Sequence, residues 1–284
     1  MKLKLIAALL GGSLLGLVMV NAYAADTQLK HVGGLKTPES VAVAADGRIY
    51  VSEIGEFDKD GDGQISIVDA NGKLKVFASG MNDPKGIVFA GKDLYVADKT
   101  RVLKVAPDGK WVVFAAADAF PVKPQFLNDL EADSLGNIYV SDSGDSHKGG
   151  AIFRISKAGK VATVVDSSNP LVLAPNGLLM DGSANLLEVD FSSGILYRVN
   201  LKSAAMTKVA EGFGGGDGLM RAPSGTLYLS DWKNGRVFSV DKKGSVKQIK
   251  DGFKASADIG LSPDRKSILV PDMKAGELVW LPLQ

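Results

Sequence analysis

The chain has 284 residues, is 45% hydrophobic and carries a formal charge of +1, enough apolar content for a large core and no basic field to recommend nucleic acid as a partner. It has no cysteine, which excludes disulfides, thiolate metal sites and a lipoprotein anchor. No linker, low-complexity run or amphipathic helix divides it, so residues 25–284 read as one domain, expected to be a monomer.

The first 24 residues have a different character. Lys2 and Lys4 precede an apolar run from Leu5 to Val20, and Ala22-Tyr23-Ala24 fits the small-x-small rule for leader cleavage. The pattern predicts export to the periplasm or exterior, with Ala25 as the mature N-terminus and no membrane attachment after cleavage.

From residue 39 a unit repeats six times. Its opening positions are Glu39, Lys85, Asn128, Asn176, Asp217 and Asp258, spaced 46, 43, 48, 41 and 41 residues apart. A Gly- or Asp-containing turn follows, then an apolar strand of the type Tyr-Val-Ser-Asp. Glu39 stands eleven residues before Tyr50, as Asn128 does before Tyr139, Asn176 before Leu187, Asp217 before Tyr228 and Asp258 before Leu269; Lys85 stands ten before Tyr95. A period of this length marks a repeat architecture. The fifth unit reads as four strands, 218–222, 226–231, 236–241 and 246–250, with Gly-containing turns between them. Four strands per unit predict an all-β, six-bladed β-propeller.

The last unit has only three strands, 257–261, 267–272 and 277–281. Residues 27–34 resemble 245–252 and lead directly into the first anchor, so the N-terminal strand of the mature chain is predicted to complete the last blade and remove an open edge.

In a propeller the first strand of each blade lines the central channel, so the anchors form a ring. Glu39, Asn128, Asn176 and Asp217 are hard oxygen donors, suited to calcium or another hard divalent cation, with places left for water and a substrate oxygen. His31 and His147 are the only imidazoles, which disfavours zinc. His147, in the third-unit connection 142–150, is a candidate general base over the metal or else a solvated side chain. His31 is taken as structural. Glu53, Asp98, Asp142, Asp190, Asp231 and Asp272 stand fourteen residues after the anchors, thirteen for Asp98; they either cap strand ends or orient the ligands. Residues 58–69 match the spacing of a calcium loop but join two strands, so Asp58, Asp60 and Asp62 form either a second, structural calcium site or an acidic hairpin turn.

At these residues the chain resembles the regucalcin/gluconolactonase family, relatives of diisopropylfluorophosphatase and the paraoxonases. Glu39 within Thr37-Pro38-Glu39-Ser40, Asn128 within Leu127-Asn128-Asp129, Asn176 within Pro175-Asn176-Gly177-Leu178 and Asp217 within Gly216-Asp217-Gly218 carry the resemblance. It implies one axial divalent cation, usually calcium, held by those four residues. Sugar-lactone hydrolases of the family place an Arg shortly before the third-blade Asn; Pro124-Gln125-Phe126-Leu127 has none, and Leu130 stands where Gly is usual. A hydrophobic lactone or ester is therefore as plausible as an aldonolactone. Two function classes follow. One is a calcium-dependent hydrolase in which Asp217, or His147, activates water or attacks. The other is a non-catalytic propeller of the NHL or YWTD kind that binds a protein or glycan.

Overall fold

The computed structural model describes residues 29–284; the leader expected over residues 1–24 lies outside the described residues. Six four-stranded antiparallel sheets follow one another as the blades of a propeller. Their innermost strands are Pro38–Val43, Pro84–Ala90, Leu127–Ala132, Pro175–Asp181, Gly216–Arg221 and Gly260–Leu261. These strands pack against their neighbours around the ring, and blade 6 meets blade 1.

The blades are held by apolar seams. The second strand of five blades places an aliphatic side chain at the same point, Val51, Val96, Val140, Leu229 and Val270, each completely buried. Between blades 1 and 2, for example, Tyr50 and Ile65 pack with Ile87, Leu94 and Val96. Glu188 takes this position in blade 4. It is buried, neither carboxyl oxygen has a partner, and burial followed by the nearby Asp190 charge pushes its carboxyl well above the usual range.

The ring closes as expected. His31–Gly33 pairs with Glu277–Pro282, with Val32 opposite Leu278, and completes the last sheet. One detail differs from the sequence expectation. The innermost strand of blade 6, expected over 257–261, has only the two residues Gly260–Leu261. Pro271 explains this: its carbonyl accepts the Ala257 amide (2.9 Å), but proline has no N–H to return to the inner strand.

Candidate metal centre

The anchors sit on β-bulges. In blades 1 to 5 the register between the innermost strand and the next one slips at the anchor, between Pro38 and Val41, Pro84 and Ile87, Leu127 and Leu130, Pro175 and Leu178, and Gly216 and Leu219. Two residues there face one, which bends the strand and re-aims a side chain. In three blades the serine of Tyr-Val-Ser-Asp or its equivalent fills the gap. Ser52 Oγ accepts the Ser40 amide (2.9 Å), Ser141 Oγ the Asp129 amide (2.9 Å) and Ser230 Oγ the Gly218 amide (2.8 Å). Close approach of the innermost strands adds a second constraint. A Cβ on Gly177 would lie 2.0 Å from the Asp217 carbonyl oxygen, and one on Gly218 2.3 Å from the Ile259 nitrogen, so glycine follows Asn176 and Asp217 for steric reasons.

Glu39, Asn128, Asn176 and Asp217 line one cavity of about 210 Å³. None is more than 7% exposed. Each contributes a buried oxygen without a hydrogen-bond partner: Glu39 Oε2, Asn128 Oδ1, Asn176 Oδ1 and Asp217 Oδ1, four of seven such atoms among the described residues. A buried polar atom left unpaired costs roughly 1–3 kcal/mol, so four in one cavity fit a ligand that supplies the missing interaction. All four of these atoms are hard oxygen donors, which fits calcium or a similar cation. Burial, then the charges of Asp217 and Asp258, holds the Glu39 carboxyl well above the usual range; burial, then Asp258 and Asp231, does the same to Asp217. A divalent cation would supply the counter-charge.

The other two anchors differ. Lys85 lines the same cavity, its Nζ 4.1 Å from the Phe126 ring centroid and 3.5 Å from the Asp83 carbonyl oxygen. Burial pushes its ammonium down, against the opposing pull of Asp83 and Glu39. Asp258 is absent from this cavity and accepts the Ser40 hydroxyl on Oδ2.

The acids fourteen residues on act on backbone leading into the anchors. Asp142 accepts the Gln125 and Phe126 amides (3.0 and 2.7 Å), Asp190 those of Leu173 and Ala174 (3.1 and 2.7 Å), and Asp272 those of Lys254 and Ala255 (both 2.9 Å). Glu53 accepts Lys36 N (2.6 Å), Asp98 accepts Asn82 N and Asp83 N (2.8 and 2.9 Å), and Asp231 accepts Gly215 N (2.9 Å). They thus fix the chain two to four residues before each anchor, through loop amides and not through the ligand side chains.

One orienting residue escaped the sequence reading. Asn128 Nδ2 donates to Ser143 Oγ (3.1 Å), which donates to the Pro175 carbonyl (2.8 Å). This leaves Asn128 Oδ1 as the unpartnered atom. Ser143 belongs to a wider pattern, since the residue after the acid lines the cavity in five blades: Ile54, Ser143, Phe191, Trp232 and Met273. The repeat register carries that signal, one step past the acid.

Two candidate groups are not brought to the ring. His147 is exposed and absent from the cavity wall; Asp145 Oδ1 accepts its amide (3.0 Å) and that of Lys148 (2.8 Å), and Ser146 takes the place at the wall. Nor do Asp58, Asp60 and Asp62 converge. Asp58 and Asp60 pair with Lys99 Nζ (3.8 and 2.9 Å), while Asp62 Oδ2 pairs with Lys59 (3.6 Å) and accepts the Glu56 amide (3.2 Å). Among the described residues no three His, Asp or Glu side chains gather as a metal cluster. Residues 58–62 lie here as an acidic turn joined to blade 2 by Lys99, with Asp62 Oδ1 left without a partner.

No family model matches the chain. Regucalcin from Agrobacterium tumefaciens, described as a calcium-binding protein, superposes with a TM-score of 0.71 at 17% identity, covering 88% of this chain and 90% of that one. A protein provisionally assigned as a gluconolactonase gives 0.71 at 16% identity over 91% and 95% of the two chains. Strictosidine synthase-like 3 of Arabidopsis thaliana is 40% identical over 63 residues, 21% of this chain and 16% of that protein. The fold is thus a regucalcin/gluconolactonase-like six-bladed propeller.

Proposed function

We propose that this chain is an exported, metal-dependent hydrolase that opens a lactone or related ester in its axial cavity. The observation that carries this is the set of four orphaned oxygens from four blades in a single cavity. Glu39, Asn128, Asn176 and Asp217 would hold the cation, and the calcium-binding regucalcin of similar fold supports calcium as its identity. A divalent cation bound there supplies Lewis acidity toward a carbonyl oxygen.

The protein's own groups supply the rest. Asp217 is buried with one oxygen unpartnered, so it serves as the carboxylate that takes a proton from water or attacks the acyl carbon. Lys85, which lines the cavity, can donate an N–H to a substrate oxygen. Ile54, Phe126, Phe191, Trp232 and Met273 wall the cavity, excluding water and favouring an apolar substrate body over a polyhydroxylated one.

The test measures metal content of the purified mature protein, then hydrolysis of a lactone and ester panel with and without EDTA. One calcium per chain and EDTA-sensitive turnover are expected. Absence of metal, or no turnover with calcium present, would favour a binding propeller instead.

A further inference from the structure

Four aromatic rings line the cavity, and a lysine ammonium lies over three of them: Lys85 over Phe126 at 4.1 Å, Lys233 over Phe191 at 4.5 Å and Lys274 over Trp232 at 4.2 Å. The last two repeat one arrangement. Each lysine stands two residues past its own blade's acid and reaches back over the ring one residue past the preceding blade's acid. The Phe191 and Trp232 rings are 6.2 Å apart, so ammonium, ring, ring and ammonium run in series along one side of the mouth.

The series is held in place. A Cβ on Gly215 would fall 2.6 Å from Lys233 Cγ, so the lysine stem lies on the Gly215 backbone. Trp232 Nε1 donates to Met273 Sδ (3.2 Å). Lys233 and Lys274 are both exposed, and neither takes part in the ion pairs of the described residues. On the blade 1 side Glu56, Asp58 and Asp60 flank Phe57, another wall residue, and are paired with Lys59 and Lys99.

We propose that Lys233 and Lys274 form an anion-recognising collar, and that the substrate is an amphipathic monoanion: an aryl or alkyl lactone or ester with a carboxylate remote from its ester oxygen. This rests on the axial cavity being the substrate site. An apolar body loses water against Phe191 and Trp232, while the carboxylate meets two unpaired ammonium groups at the rim. A neutral sugar lactone would use neither feature.

Trp232 fluorescence reads binding without turnover. The full mature chain, in calcium buffer, is titrated with 4-phenylbutyrate and with 4-phenylbutanol, and Trp232→Phe identifies the responding indole. The carboxylate is expected to bind about fivefold more tightly, the size two exposed charge pairs allow. The preference is expected to fall to about unity in Lys233→Met/Lys274→Met, with alcohol affinity held within about twofold. Equal affinities in the wild type, no quenching by either probe, or a preference that survives the double substitution would overturn the proposal; survival would place the carboxylate on the axial ion. Hydrolysis of mono-4-nitrophenyl glutarate and 4-nitrophenyl valerate separates the two levels. Binding preference without turnover would leave the collar and remove the hydrolase, whereas equal kcat/KM for both esters with no binding preference would do the reverse.

Discussion

The axial channel holds two sets of buried acids that are partnered in opposite ways. At one end Glu39 and Asp217, with Asn128 and Asn176, each leave an oxygen unpartnered. Asp129 and Glu131, further along the Asn128 strand, and Asp258, the blade 6 anchor, line a second cavity of about 280 Å³, and none of their oxygens is among the orphaned ones. Asp129 accepts the Leu130 and Leu178 amides (both 2.6 Å), Glu131 those of Ala132 and Met180 (2.8 and 3.4 Å), and Asp258 the Ser40 hydroxyl. These acids tie blade 3 to blade 4 and blade 6 to blade 1. Burial raises carboxyls at both ends, bringing Glu131 and Asp258 to about 7, so a shifted carboxyl does not distinguish a site from a seam. Unpartnered oxygens from four blades gathered in one cavity do.

The largest test of this contrast is catalytic. Asp217→Asn keeps an oxygen donor but removes the reactive charge; a loss of at least a hundredfold in kcat is expected, within the range for a lost general base, with calcium still bound less tightly. Near-normal turnover of lactones or esters by the variant would remove Asp217 from its role.

Next is the response to metal. With calcium at about 100 times its dissociation constant, linkage contributes about 2.7 kcal/mol, so EDTA should lower Tm by roughly 5–10 °C for a chain of this size. Asn176→Ala should abolish that shift. Asp129→Ala, which strands two amides, should cost about 1–3 kcal/mol yet keep the calcium shift. Loss of the shift in Asp129→Ala would show that the two ends are one functional unit.

Glu188 probes the contrast from another side, because its two oxygens are orphaned but stand alone at a seam position that is aliphatic in the other blades. Its folded-state carboxyl is raised, so its contribution to stability is full below the unfolded pKa and is lost as pH rises through the folded one. Glu188→Leu is therefore expected to stabilise the protein, by about 1–3 kcal/mol near pH 8 and by less near pH 4, in denaturant melts at both pH values. A destabilised variant at pH 8 would assign Glu188 a partner.

The smallest expected effect is at Ser143. Removing the hydroxyl that holds Asn128 should weaken calcium binding about tenfold in Ser143→Ala, in line with the loss of an orienting hydrogen bond. Unchanged affinity in a calcium titration would show that the amide is oriented without it.

Much of this was legible in the residue order because a propeller repeats its backbone: a position in one unit maps onto the same place around the axis in all six. The anchors, the acids fourteen residues on and the shared last blade follow from that register and from strand alternation. Register says nothing of who reaches a side chain from another blade. Asp217 and Asp258 are the same residue type at the same repeat position, yet Ser40, 218 residues away in sequence, satisfies only Asp258. Asp58, Asp60 and Asp62 have the spacing of a calcium loop, but Lys99 of blade 2 draws away the first two. His147 lies in the expected connection, and the turn around Asp145 leaves it outside the cavity. Local spacing sets where a donor sits along its strand, whereas its availability to a ligand depends on neighbours across the blade seams, which come together only when the ring has closed.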